Sequence, residues 1–312
     1  MNGKKAATGD KCVLRSVRSQ AVKLCICDRL GYAIRLKAKQ ADRQKQTAKW
    51  KIAMFQDGKS DETVTGNLPG AERLDSSLQL KVCWCPPGKF VMGSPPHEKG
   101  QYEGEDIVEQ VFVTISRGFW MGKVPVTQGQ WQRISESAPS QFFGTELPVE
   151  MVSWEEATSF CQKLTQVSRD LGELPAGWEY RLPTEAQWEY ACRADWSTAY
   201  CFGNDAKKLG DYAWCEENSD FKTQDVGKKK PNAWGLCDMH GNIWEWCSDW
   251  YQERLTGGVD PEVTIPTSHR VVRGGCWLVV ADICRSASRS RSVPHNRFDF
   301  LGLRVALVAV DE

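Results

Sequence analysis

The stretch from Arg273 to Arg304, RGGCWLVVADICRSASRSRSVPHNRFDFLGLR, constrains this chain more than any other. Its apolar residues recur with neither the period of two of a half-buried strand nor the period of about 3.6 of an amphipathic helix. Arg273, Gly274, Gly275, Trp277, Cys284, Arg285, Arg289, Pro294, Asn296, Arg297, Gly302 and Arg304 read as a frame. Between them stand Leu278, Val279, Val280, Ile283, Ser288, Ser290, Arg291, Ser292, Val293, Phe298, Asp299 and Phe300, which share no chemistry. The frame reads as scaffold, and the residues between as contacts for a particular ligand.

The rest of the chain sets the class. With 312 residues, 41% of them hydrophobic, it can bury a substantial core in one large domain. Forty Lys and Arg balance forty Asp and Glu, so no net field favours a nucleic acid partner. Residues 1–54 are locally basic, which reads as a solvated leader or small subdomain ending near residue 78, with contact to anionic lipid or nucleic acid as the alternative. Residues 67–70 (NLPG) read as a linker, with the main domain over 79–312. The thirteen cysteines follow no zinc or disulfide spacing, so buried free thiols are expected. No run of about 18 apolar residues occurs, and no signal-peptide core is found at the N-terminus. Cysteine use points to the cytoplasm; a surface role would need an export signal outside this sequence.

Local patterns place several elements. LQLKVCWCPPGKFVMGS (78–94) reads as strand, Pro-Pro-Gly turn and strand, and Val111, Val113 and Ile115 alternate as in a half-buried strand. Two helices have clear starts. Ser153 and Glu156 form a capping box before Ala157, Phe160, Cys161 and Leu164; Thr184 and Gln187 form another before Trp188, Ala191 and Cys192. After Arg193 about a hundred residues are Gly-rich and Trp-dense without periodicity. Indoles can hold such loops, each burying a large area while its N–H satisfies a carbonyl.

PPGKFVMGS (86–94), FWMGKVPVTQGQW (119–131), LPVEMVSWEEATSFC (147–161), YRLPTEAQWEYACR (180–193), PNAWGLCDMHGNIWEWCSDWY (231–251) and RVVRGGCW (270–277) resemble, in order, the formylglycine-generating-enzyme family. The resemblance implies an α+β, C-type lectin-like fold of the formylglycine-generating-enzyme subtype, with little regular secondary structure and two well-defined helices. The family's enzymes oxidise a sulfatase cysteine using two copper-binding cysteines that follow the Gly-Gly pair. Those positions here are Val279 and Cys284, and valine offers a soft metal no thiolate. The resemblance thus implies no cysteine oxidase activity and no required cofactor. It also implies a possible structural calcium on Asp238, Gly241, Ile243 and Glu245, an oxygen donor set on an irregular loop.

The tail also resembles the variable proteins of diversity-generating retroelements. In those systems a template rich in asparagine codons is copied with replacement at adenines, which gives NNY codons. The tail lies without a gap on the frame RGGSWNNNADNCRSANRNNNNPDNRNNN-[IL]-GFR, and every residue at an asparagine position is one that NNY can encode. Cys276 fits a serine codon changed at its adenine. The candidate contact residues are therefore Cys276, Leu278, Val279, Val280, Ile283, Ser288, Ser290, Arg291, Ser292, Val293, His295, Phe298, Asp299 and Phe300. The expected function is binding of a protein or other macromolecule by a monomer, on one exposed face. The alternative is a cysteine oxidase or an inactive paralogue of one.

Overall fold

The computed structural model describes residues 65–75, 78–96, 98, 110–174 and 176–310. The basic arm, Cys12, Cys25 and Cys27 lie outside the described residues. A five-stranded antiparallel sheet is built from β1 (Glu72–Asp75), β2 (Leu80–Cys85), β5 (Phe119–Gly122), β12 (Ala306–Ala309) and β6 (Trp178–Arg181), in that order. Its first strand precedes residue 79, so the sheet starts before the expected domain boundary. Residues 67–70 also belong to the fold, since Gly70 donates to the Trp84 carbonyl at 2.9 Å. Gly70 has φ +75°, and a Cβ there would stand 3.1 Å from the Trp234 backbone, so this turn needs glycine.

Alternation along the strands buries both faces of that sheet. Leu80, Val82, Trp84, Trp120, Tyr180 and Leu307 enter one core, which receives Ala157, Phe160, Cys161 and Leu164 from helix α2 (Trp154–Asp170). Cys83, Cys85, Phe119, Met121, Ala306 and Val308 enter the other, which receives Ala186, Trp188, Tyr190 and Ala191 from helix α3 (Glu185–Arg193). Both helices begin at the expected capping boxes. A third helix, α1 (Gln128–Ser135), begins at another, formed by Thr127 and Gln130. It adds to the two expected helices among the described residues.

Two smaller sheets complete the architecture. β3 (Gly88–Met92) pairs with β4 (Val111–Ile115), which lies parallel to β8 (Gly258–Val259). The four-stranded sheet runs β10 (Arg289–Ser292), β9 (Arg270–Arg273), β7 (Trp244–Trp250) and β11 (Leu301–Gly302), with β11 parallel to β7. The tail therefore supplies both edges of this sheet.

Side chains hold much of the irregular region between α3 and β7. The Asn232 amide donates to the Ala191 and Cys192 carbonyls and accepts from the backbone of Trp234 and Leu236. His240 Nε2 accepts from the Cys201 N–H at 3.1 Å, which leaves Nδ1–H to donate to the Cys284 carbonyl at 2.8 Å. Indoles act as anticipated: Trp154 donates to the Cys247 carbonyl and Trp246 to that of Val152. Every described cysteine is a buried free thiol, and among the described residues no helix is long and apolar enough to cross a membrane.

Candidate binding surface

The frame residues of the tail are tied into the interior. Gly274 and Gly275 have φ of +105° and +76°, a region L side chains rarely enter. A Cβ on Gly275 would lie 2.6 Å from Cys284 Sγ, and one on Gly274 would lie 3.2 Å from the Trp188 ring. The close approach of Cys284 thus excludes any side chain at Gly275.

The arginines are the anchors. Arg289 makes a two-pronged contact with Glu185, both bonds 2.8 Å, and also donates to the Gln252 carbonyl. Arg273 pairs with Glu189 and donates to the Ala287 and Ser288 carbonyls. Arg193 reaches the other Glu189 oxygen at 2.8 Å. Burial opposes ionisation of Glu189, but Arg193 and Arg273 outweigh it and hold the carboxyl below its ordinary range. Arg304 spans both oxygens of Glu245 and the Gly122 and Cys237 carbonyls. Arg285 pairs with Glu98 and reaches Ser94 Oγ at 2.9 Å. Forked guanidinium contacts of this kind fix loops that lack a ladder. Arg297 is the exception: it is exposed and pairs with Glu156 at 3.0 Å.

The residues between the anchors behave differently. Leu278, Val280 and Phe298 are 45%, 47% and 38% exposed. Val279, Ile283 and Phe300 are half-buried against the main core. Trp277, itself buried, joins the two loops that carry these residues, because its Nε1 donates to the Asp299 carbonyl at 3.1 Å. Phe298 stacks on Phe300 with ring centroids 5.0 Å apart. Ser290, Arg291, Val293 and His295 are exposed or half-buried, with the Arg291 guanidinium 4.6 Å from the Tyr251 ring. Phe298 and Phe300 immediately precede β11, Ser290, Arg291 and Val293 lie on and after β10, the other edge strand of the four-stranded sheet, and Val279 lies beside the segment around Glu216, whose N–H bonds its carbonyl.

Three candidate contact residues are corrected. Cys276, Ser288 and Ser292 are buried at 1%, 0% and 8% exposure. Cys276 lies in the main core, the carbonyl of Ser288 is held by Arg273, and Ser292 falls on the inward side of β10. None is accessible to a macromolecular partner as placed.

The thiols are equally enclosed. Burial pushes Cys284 well above the ordinary thiol value and Cys276 up to about 12, so both are protonated at neutral pH. A protonated thiol is a poor nucleophile and metal ligand. Half-buried Val279 stands between them in sequence.

Of the four residues of the expected calcium site, Glu245 is already paired within the protein. Both Glu245 oxygens are taken by Arg304, and one also accepts from Trp188 Nε1 at 2.7 Å. The guanidinium thus supplies the positive charge a calcium ion would bring. The Gly241 carbonyl accepts from Ile243 N–H at 2.9 Å. Asp238 accepts from Gly227 N–H at 2.6 Å, while its other oxygen is buried without a partner. Among the described residues no three acidic, His or Cys side chains converge on a metal position.

Buried carboxyls give this region a pH dependence. Burial pushes Glu150 and Asp249 up to about 7 and Asp238 up to about 6. Glu150 lies beneath the tail, with one oxygen bonded to the Phe142 N–H and the other unpartnered. Each group holds its proton more tightly when folded, so its contribution is full below about pH 4 and is lost as pH rises through about 7. Denaturant titrations are expected to show stability from these groups falling across that window. Glu150→Gln should flatten the profile, by a few kcal/mol at most. An unchanged slope would contradict the assignment.

Residues 72–309 match the family described as the sulfatase-modifying factor enzyme 1-like domain. The chain belongs to that family. Among curated family members, the formylglycine-generating enzyme of Streptomyces coelicolor is 31% identical over 263 residues, covering 78% of this chain and 71% of that one. Among solved structures, Treponema denticola variable protein 1 superposes with a TM-score of 0.66 at 29% identity, covering 76% of this chain and 98% of its own. PvdO of Pseudomonas aeruginosa, at 24% identity and a TM-score of 0.67, covers 78% and 99% and shares the fold. The fold is thus α+β, mostly sheet and C-type lectin-like, as the sequence blocks imply.

Sequence reasoning missed Glu185 and Glu189, the carboxylates beneath the frame. Helix α3 reads as a packing helix, yet these residues stand four apart on it, one turn, where their side chains share a face. Such a pair on a helix flanked by apolar residues was the available signal. It also missed Phe142, whose ring meets Trp277 edge-on at 5.7 Å.

Proposed function

We propose that this chain is a binding protein that presents Leu278, Val279, Val280, Ile283, Phe298, Asp299 and Phe300 to a macromolecular partner, with Ser290, Arg291, Val293 and His295 as a second set on and after β10. The supporting observation is the division within one segment. Buried arginines clamp the frame, while most residues between them reach the surface. A cluster of exposed aliphatic and aromatic side chains is the usual centre of an interface. The gapless retroelement-type frame and the likeness to a variable protein support diversification of these positions. Cys276, Ser288 and Ser292 drop out of the contact set.

The 31% identical enzyme gives the oxidase reading its weight. Against it stand Val279 at the first thiol position and the closed, protonated environment of Cys284. Two assays separate the readings. With Cu(I) and a sulfatase-motif peptide, the protein is expected to form no aldehyde above a Cys284→Ser control. A yeast-displayed library randomised at Leu278, Val280, Arg291 and Phe298 is expected to yield binders to hen lysozyme that keep the parental melting temperature within a few degrees. Turnover in the first assay, or wholesale loss of folded display in the second, contradicts the proposal.

A further inference from the structure

A cavity of about 500 Å³ opens between α2, β6, β7 and the segment around residues 262–264, and none of the residues assigned above to partner binding lines it. Its volume falls in the range of sites for small organic ligands. Arg270 from β9 lines it, with the guanidinium carbon 3.6 Å from the ring centroid of Trp154 and 3.6 Å from that of Trp250. Stacking on both faces leaves a guanidinium only its edge for hydrogen bonds. One edge nitrogen, Nη1, donates to the Ser248 carbonyl. Nε is buried without a partner, and Nη2 makes no hydrogen bond with any described residue. Thr158, one turn after Trp154 on α2, also lines the cavity, and its hydroxyl is likewise unpartnered.

We infer that this cavity is a binding site for a small aromatic carboxylate, with its carboxylate on the Arg270 guanidinium edge and its ring along the flanking indoles. The walls leave Arg270 as the anchor. Arg181 is paired with Glu262 and bonds Ser248 Oγ, and the Arg169 guanidinium donates to the Trp178 carbonyl. The neighbouring Asp249 is occupied by the backbone N–H groups of Glu185 and Val263. A guanidinium fork held rigid and short of acceptors favours a planar carboxylate over a neutral amide, because the charged acceptor makes the stronger bonds.

The probe is benzoate, with benzamide as the neutral control, followed through the indole N–H signals of Trp154 and Trp250 and the Nε–H signal of Arg270 by NMR. Benzoate is expected to shift these three saturably in the millimolar range, and benzamide at least tenfold more weakly. Arg270→Gln should abolish the response. Gln162→Trp, which blocks the cavity from its exposed rim without touching the stack, should weaken it at least tenfold, and serves if Arg270→Gln does not fold. Equal shifts with benzamide, no saturable shift, or an undiminished response in Gln162→Trp would each overturn the assignment.

Discussion

Arg304→Met is expected to lower folding stability by about 3–5 kcal/mol, the cost of leaving a buried charge without its partner. Arg304 and Glu245 are both fully buried, and the guanidinium also serves the Gly122 and Cys237 carbonyls. Methionine fills similar volume but offers neither charge nor donor. The Glu245 carboxylate would keep only the Trp188 N–H, and two carbonyls from separate segments would lose their donor. The damage therefore spreads from β5 through the irregular loop to β7. Urea titration at pH 7 measures it. The double variant Arg304→Met with Glu245→Met should recover part of the loss, since apolar replacement of both partners removes the stranded charge. A single-variant loss under about 1 kcal/mol would contradict the anchoring role.

Trp277→Ala is expected to be comparably damaging, at about 3–5 kcal/mol. The indole is 6% exposed, packs against Phe142 and bonds the Asp299 carbonyl, joining the two loops that carry the apolar contact residues. Its removal opens a cavity and frees both loops together. Phe298→Ser and Val280→Ser remove side chains that already face solvent and should stay within about 0.5 kcal/mol, as typical surface changes do. Phe300 is intermediate, because it is half-buried against the main core; a polar residue there should be felt more than at Phe298. Equal losses for Trp277→Ala and Phe298→Ser would erase the distinction between frame and contact residues.

That distinction was legible in the sequence wherever one residue type answers one physical need. The Gly-Gly pair, Trp277 and the arginines read as frame, and the structure gives each of the buried ones a reason: positive φ, an indole bond, a carboxylate beneath. Capping boxes at Ser153 and Thr184 located two helices. The same device at Thr127 is harder to read, because α1 is short and follows directly on a strand-like run. The carboxylates that receive the arginines show in the sequence only as a spacing, Glu185 and Glu189 one turn apart on α3, which by itself does not distinguish a buried, paired Glu from a solvated one. Serine carries no sidedness either, so the inward placement of Ser288 and Ser292 could not be read from their type. The calcium expectation was carried over from the family resemblance, and nothing in the local sequence shows that Arg304, about sixty residues away, pairs with Glu245.

The proposed variation of this tail on a fixed frame is tested by sequencing the DNA around its coding segment. A nearby near-copy of that segment, beside a reverse transcriptase gene and differing from it only at adenines of the copy, is the expected result. Those differences should fall in codons such as those of Leu278, Val280, Arg291 and Phe298, and spare those of Arg273, Trp277, Arg289 and Arg304. The absence of any near-copy, or differences spread evenly over frame and contact codons, would contradict it.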